Sequence, residues 1–229
     1  MGLKESGLRG SFRNVSVGIS AIPDSAIWRL PLDEGDGTTA SDDQGDTDGT
    51  LDNPDWISNS KYFGDFALDF NQSNNDEVTM EFLPINGGDD ITFCVTVDLD
   101  GAGVPSDRQV IWNHIRQDVN DFFAVGYRDG DLAAGVYDSD PEHSRVEDHP
   151  DTSTEFRLQV AFSGVDVPEI RINATQNFEN EGVAPNEGDG HWLGSNTDNE
   201  SYDYILDAPV VYDKVLTDDE FQKDVDQHL

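Results

Sequence analysis

The chain has 229 residues, and its 48 acidic against 13 basic side chains give it a formal net charge of −35 at pH 7. This balance excludes nucleic-acid binding, which needs a basic stripe, and no apolar run is long enough for membrane insertion. Hydrophobic residues at 35% and aromatic residues at 10% exclude an acidic disordered chain and are enough for one large all-β domain. Molar salt screens charges beyond roughly 3 Å, so the composition favours an origin in an extreme halophile.

Residues 1–25 are predicted to form an extended N-terminal arm. Residues 1–30 hold four basic and two acidic residues, whereas the rest of the chain is strongly acidic. Apolar residues such as Leu3, Leu8 and Phe12 are scattered among glycines and serines. We expect this arm to dock onto a partner, and the alternative is a flexible terminus without a partner. The start of the arm lacks the apolar stretch of a secretory signal. Either a signal was removed before this numbering begins or the protein is exported by another route, and the initiating Met1 favours the second.

From residue 26 onward the pattern predicts short strands separated by Gly, Asp and Asn. The clearest alternation is Phe156, Leu158, Val160 and Phe162, with Arg157 and Gln159 facing the other way. Pro168 interrupts the next run as an edge strand or bulge would. Such a series of short strands favours a β-sandwich. The predicted strands cover residues 26–32, 65–70, 76–83, 91–97, 108–117, 119–128, 131–138, 156–162, 165–172, 190–194 and 202–213.

The single cysteine, Cys94, lies within an alternating strand pattern. One cysteine excludes an internal disulfide. We expect a buried structural thiol, because free cysteine behaves as a small apolar side chain.

The C-terminus is predicted to be a short helix. Thr217 and Glu220 have the spacing of a capping box, in which each side chain satisfies a free backbone donor. Phe221, Val225 and Leu229 follow at four-residue spacing and predict one apolar face.

Several segments, taken in order, resemble concanavalin A-like domains of the laminin-G type. The similarity lies in residues 28–35, 43–50, 63–70, 158–164, 170–174 and 206–216, the last followed by the capped helix. Ala174 and Pro209 depart from the residues usual in that family. The resemblance implies that residues 26–229 form one all-β domain, an antiparallel β-sandwich of jelly-roll type.

A structural calcium ion is the one cofactor that we predict. Calcium takes six to eight oxygen ligands, and the loop that follows residue 42 supplies carboxylates from Asp43, Asp46 and Asp48. The family resemblance implies that Asp207 lies close to this loop. The alternative is that Asp207 accepts backbone hydrogen bonds without a metal.

Domains of the family that the chain resembles often bind glycans. Sugars stack on aromatic rings and bond to nearby polar groups, which makes Trp112, His114, Tyr127, Trp192 and Asn196 the candidate glycan-binding residues. By alternation, Trp112 and His114 share one side of a strand. The alternative for a tryptophan in a sandwich strand is a place in the core.

Motifs for catalysis are missing from the sequence. Glucanases with this jelly roll carry Glu-x-Asp-x-x-Glu on one strand, and no such run occurs here. No serine, histidine and aspartate order suggests a hydrolase. We therefore expect a non-catalytic protein.

Three functions stay open at this point. The first is a virion surface protein of a halophilic archaeal virus, on capsid or tail, because residues 7–16 resemble the starts of archaeal tailed-virus structural proteins. Its partners would be other virion proteins through the arm and a cell-surface glycan, and we expect a homo-oligomer. The second is an extracellular adhesion module on the cell surface of a halophilic archaeon, and the third is a glucanase-like hydrolase.

Overall fold

The structure is a computed structural model in which 16 strands and one helix are placed. It describes residues 25–45, 47–58, 63–71, 74, 76–81, 83–85, 89–99, 103–105, 109–116, 121–128, 130–138, 141–146, 155–163, 167–176, 191–194 and 203–229. The predicted arm therefore lies outside the described residues, apart from Ser25.

The strands are short, and most are joined by segments rich in Gly, Asp and Asn. In chain order the elements are β1 (Ala26–Arg29), β2 (Thr39–Ala40), β3 (Gly49–Asp52), β4 (Asp55–Ser58), β5 (Phe66–Phe70), β6 (Glu77–Met80), β7 (Ile91–Asp98), β8 (Gln109–Arg116), β9 (Asp121–Arg128), β10 (Asp131–Asp138), β11 (Pro141–Val146), β12 (Phe156–Phe162), β13 (Glu169–Ile172), β14 (Thr175–Gln176), β15 (His191–Leu193), β16 (Tyr204–Tyr212) and α1 (Asp218–His228).

Two eight-stranded antiparallel sheets form the sandwich. The first sheet has the order β14-β13-β12-β7-β16-β5-β4, and β1 also pairs with β16. The second sheet has the order β11-β10-β9-β8-β15-β6-β3-β2. Most neighbours in the first sheet are distant in sequence, as expected when the chain crosses repeatedly between two layers. The predicted all-β sandwich is confirmed.

The main core lies between the two sheets and is built from large apolar side chains. Its largest members have almost no exposed surface: Trp28, Phe70, Phe93, Trp112, Phe123, Tyr127, Phe156, Phe162 and Tyr204. In β8 the register shifts between Val110 and Trp112. A Cβ on Gly126 of β9 would lie 1.9 Å from the Gln109 carbonyl oxygen, so only glycine fits beside this bulge.

The helix α1 covers the outer side of the first sheet. Phe221 packs there with Tyr212 and the buried thiol of Cys94, which confirms the expected burial of Cys94. Glu220 accepts a hydrogen bond from the Thr217 backbone nitrogen at 3.0 Å, so the glutamate contact of the predicted capping box is present. The helix contributes Asp224 and His228 to this interface.

The predicted apolar face of the helix is corrected. Val225 is only half-buried and Leu229 is 49% exposed, because the residues turned toward the sheet follow Phe221 at three- and seven-residue spacing. No described helix is long and apolar enough to span a membrane.

Candidate functional site

Three of the predicted glycan-binding residues belong to the core. Trp112 and Tyr127 have no exposed surface, and His114 has 2%. The Trp112 ring stacks on Phe93 with centroids 4.6 Å apart, and the His114 Nε2 lies 3.1 Å from the Leu83 carbonyl oxygen. A ring enclosed in this way offers no face to a sugar. The structure therefore corrects the prediction for these three residues.

The other two predicted glycan-binding residues stay predictions. Trp192 lies in β15 and pairs with Thr79 of β6 and Asn113 of β8, but its side chain is not described, and Asn196 lies outside the described residues. Asn113 is fully buried, and neither its amide nitrogen nor its amide oxygen has a hydrogen-bond partner in the structure. An unsatisfied buried amide is costly, but Asn113 has no exposed surface and therefore does not define a ligand site.

The loop predicted to hold calcium is tied together by its own hydrogen bonds. The Nε of Arg29 donates to Asp43 Oδ1 at 2.8 Å, and Nη2 contacts the other oxygen. Partial burial raises the pKa of Asp43, but the hydrogen bonds from Arg29 and Gln44 and the charge of Arg29 together outweigh it and leave that pKa below its ordinary value. Asp48 Oδ1 accepts from the Asp42 backbone nitrogen at 2.8 Å. Asp46 lies outside the described residues.

Asp207, the fourth predicted calcium ligand, is buried in the middle of β16. Its Oδ2 accepts a hydrogen bond from the Phe63 backbone nitrogen at 2.6 Å. Burial, opposed by this bond and by the charge of Arg157, raises the pKa of Asp207 to about 7. Across the described part of the chain, no group of three or more His, Cys, Asp or Glu side chains is placed to hold one metal ion. Calcium at this loop stays a prediction.

The free energy of unfolding of the wild type should fall between about pH 4 and pH 7, and the Asp207→Asn variant should not show this fall. In that interval the folded carboxyl keeps a proton that the unfolded chain has released, since its pKa rises from 3.8 to about 7. The contribution of Asp207 to the free energy of unfolding is thus complete below about pH 4 and is lost as the pH rises through 7. The loss is at most about 4 kcal/mol, because one pKa unit corresponds to about 1.4 kcal/mol.

Chemical denaturation at acidic and slightly alkaline pH measures this effect. The asparagine oxygen can still accept from Phe63, so the variant should be the more stable protein only on the alkaline side. If the difference in free energy of unfolding between variant and wild type is the same at both pH values, the raised pKa of Asp207 is contradicted.

A buried polar cluster joins the first sheet to α1. Arg157 of β12 donates to both carboxylate oxygens of Asp224 at 2.9 Å, and both side chains are fully buried. Gln159 donates to Asp224 Oδ2 at 2.7 Å, and the Tyr212 hydroxyl donates to Oδ1 at 3.2 Å. Burial raises the pKa of Asp224, but the charges of Arg157 and His228 and the hydrogen bonds from both side chains together outweigh it and hold that pKa far below its ordinary value. Burial and Arg157 lower the pKa of His228. Enclosed in this way, the cluster stabilises the fold and has no access to a ligand.

An open groove lies at one end of the first sheet. It has a volume of about 550 Å³ and combines an apolar lining with three carboxylates: Ile27, Pro84, Ile85, Ile91, Asp89, Asp90 and Asp213. Ile85 and Ile91 are buried, whereas Asp90 and Asp213 are exposed. The groove therefore presents mainly carboxylate oxygens as hydrogen-bond acceptors, and its accessible apolar surface comes from the exposed Pro84 and the half-buried Ile27.

Backbone contacts fix the walls of this groove. The Asp213 backbone nitrogen donates to the Ser25 carbonyl at 2.9 Å, which holds the end of β16 against the start of β1. The Thr92 hydroxyl donates to the Lys214 carbonyl at 2.8 Å and accepts from the Leu216 nitrogen at 3.1 Å. These bonds hold Asp213 beside the start of β7. No sequence pattern predicts the groove, because its residues come from four separate segments.

Comparison with known proteins places the fold in a class but shows no family. No family model matches the chain, and no curated protein matches its sequence. The binding domain of Paraclostridial Mosquitocidal Protein 1 matches with a TM-score of 0.65 and 11% identity, over 90% of this chain and 52% of that one. The receptor-binding domain of the botulinum neurotoxin mosaic serotype C/D matches with a TM-score of 0.63 and 14% identity, over 90% and 51%.

A sialidase shares the same fold. Trypanosoma rangeli sialidase matches with a TM-score of 0.64 and 11% identity, over 89% of this chain and 33% of that one. The chain thus spans about half the length of the toxin domains and about a third of the sialidase. The chain has the jelly-roll-like β-sandwich found in these binding domains and sialidases. At these identities the likeness concerns the fold alone.

Proposed function

We propose that this chain is a non-catalytic glycan-binding domain displayed on the surface of a virus that infects halophilic archaea. The observation that carries the proposal is the groove, whose lining combines Asp89, Asp90 and Asp213 with Pro84 and Ile27. Carboxylates accept hydrogen bonds from sugar hydroxyl groups, and the exposed Pro84 and half-buried Ile27 offer apolar surface to the C–H face of a sugar ring. Pockets with an apolar lining and a few polar groups are typical ligand sites.

The charge of the chain supports the halophilic and viral setting of the proposed function. A net charge of −35 suits a protein that works in concentrated salt, and the basic, partly apolar residues 1–25 suit attachment to other virion proteins. Attachment in several copies strengthens weak sugar binding through multivalency, so a homo-oligomer belongs to the proposal. The toxin domains of the same fold are described as binding and receptor-binding domains, which supports a binding role.

The alternative setting is the surface of a halophilic archaeon, where the same groove would serve adhesion. A glucanase-like activity is the remaining alternative, and hydrolysis of a polysaccharide by the purified protein would establish it.

Replacing Asp90 and Asp213 together with asparagine should weaken binding to purified haloarchaeal envelopes by tenfold or more. Hydrogen bonds to charged groups contribute about 1.5–3 kcal/mol each, and about 1.4 kcal/mol corresponds to tenfold in affinity. Binding is measured by co-sedimentation in multi-molar salt, with a competing envelope polysaccharide in solution. Asp36→Asn serves as the matched control, because Asp36 is exposed and is not among the groove residues.

Three outcomes decide whether the groove is the site that binds the envelope. Loss of binding in the double variant alone supports the groove. Loss only in Trp192→Ala places the sugar at β15 and overturns the groove. Absence of envelope binding by the wild type overturns the attachment function.

A further inference from the structure

The groove lies where the N-terminal arm joins the sandwich. Ile27 of β1 is one of the lining residues, and the backbone nitrogen of Asp213 at the rim donates to the Ser25 carbonyl oxygen at 2.9 Å. The residues that precede Ser25 therefore start at the wall of the groove. A segment tethered at such a point has an effective concentration in roughly the millimolar range, so even weak contacts hold it there.

The lining of the groove favours a partner with positive charge. All seven lining residues belong to the described part of the chain, and three of them are aspartates while none is basic. Asp90 and Asp213 are exposed, so a partner can contact their carboxylates. The exposed Pro84 and the half-buried Ile27 add apolar surface. A segment that combines basic with apolar side chains matches both parts of this lining.

The arm has the charge that the groove lacks. Four basic side chains of the described sandwich are already paired with carboxylates: Arg29, Arg157, Arg171 and Lys214. The arm holds three basic residues against two acidic ones: Lys4, Arg9 and Arg13 against Glu5 and Asp24. Its balance of charge is thus opposite to that of the groove and of the remaining chain.

The spacing of residues in the arm fits an extended segment with one binding side. Successive side chains of an extended chain point to opposite sides, so the residues at odd positions share a side. That side carries one basic and three apolar residues in succession: Arg13, Val15, Val17 and Ile19. An extended chain spans about 3.3 Å per residue, which lets Arg13 reach the rim of the groove from Ser25.

We propose that the arm of each molecule docks into the groove of the same molecule and covers it until the arm binds another partner. Arg13 pairs with the rim carboxylates, because a guanidinium can donate two parallel hydrogen bonds to one carboxylate. The apolar residues after it contact Pro84 and Ile27. The consequence for the groove rests on the proposed function: arm and sugar compete for one site, so attachment of the arm to a virion protein opens the groove to the sugar.

The mobility of a nitroxide label, measured by electron paramagnetic resonance on the full chain in multi-molar KCl, tests the docking without any sugar. The label is attached at Ser16→Cys, since Cys94 is fully buried and burial raises the pKa of its thiol. In the otherwise unchanged chain the label should be immobilised. Replacing Asp90 and Asp213 together with lysine should free it. Asp36→Lys is the matched control and should not free it, because Asp36 is exposed and is not among the groove residues.

A charge exchange shows whether arm and groove contact each other directly. Arg9→Glu with Arg13→Glu should free the label, and combining these changes with the two lysines should immobilise it again. Mobility that the two lysines leave unchanged, or that Asp36→Lys alters equally, overturns the docking. Immobilisation that disappears when the protein is diluted places the arm in the groove of a neighbouring molecule and overturns docking within one molecule.

Envelope binding then measures what the docked arm does to the groove. Arg9→Ala with Arg13→Ala should bind haloarchaeal envelopes about tenfold more tightly if the groove is open in roughly one molecule in ten, because apparent affinity scales with that fraction. Unchanged binding in this variant overturns the covering of the groove. If the label reports docking but no variant binds envelopes, the docking is supported and the proposed sugar function is overturned.

Discussion

Replacing Asp224 with alanine should lower the free energy of unfolding by about 3–5 kcal/mol, because it leaves the buried Arg157 guanidinium without its counter-charge. Both side chains are fully buried, and the pair joins β12 to α1. The loss also removes the acceptor for Gln159 and for the Tyr212 hydroxyl. Urea denaturation in multi-molar salt, followed by tryptophan fluorescence, measures the change.

Two further variants show whether the buried charge is the cause. Arg157→Met combined with Asp224→Leu should recover a large part of the lost stability, because apolar residues of similar size remove both charges together. Lys214→Ala, which removes the surface ion pair with Glu220, should cost less than about 1 kcal/mol. If the double variant is less stable than Asp224→Ala alone, packing rather than charge explains the loss.

The Trp112→Ala variant should lose about 3–5 kcal/mol of stability, as expected when a large ring is removed from a packed core. Trp112 has no exposed surface and stacks on Phe93, with Phe123 and Phe162 nearby. Thermal unfolding measures the loss. Binding to envelopes, counted per folded molecule, should stay at the wild-type level.

Asp36→Asn is again the comparison for this experiment. A Trp112→Ala protein with wild-type stability but weakened envelope binding would return Trp112 to the ligand site and contradict its place in the core.

The choice of sheet face explains why the predicted sugar site did not match the structure. Alternation correctly placed Trp112 and His114 on one side of β8. It could not decide which side points inward, because the other side is buried as well: Asn113 and Ala124 have no exposed surface. A strand that is buried on both sides gives no polar face to read. The bulge between Val110 and Trp112 also shifts the register in mid-strand.

Long strands and the helix were predictable, whereas short strands were not. β7, β10 and β12 have seven or eight residues with enough β-branched and aromatic side chains to be recognised. β2 and β14 have two residues each, which is too short for a period to appear. Their position depends on pairing with neighbours rather than on their own sequence.

The cluster around Arg157 shows a second limit. The pattern of β12 correctly turned Arg157 and Gln159 away from the main core. The sequence could not show that α1 covers that side and meets Arg157 with Asp224. Phe221, Asp224 and His228 do share one side of a helix by their spacing, and this was the signal that a search for apolar residues alone overlooked.

The point at which the chain enters the sandwich affects how the domain can be attached to a scaffold. Ser25 is bonded to Asp213, and Ala26 pairs with Tyr212, so the polypeptide enters at the same end as the groove. The far end of β16 lies roughly 30 Å away, at about 3.3 Å per residue. A scaffold that holds the domain by residues just before Ser25 would thus lie next to the groove instead of at the opposite end of the sandwich. Tethering through Leu229, or lengthening the linker before Ser25, should change access to the groove even though no groove residue is altered.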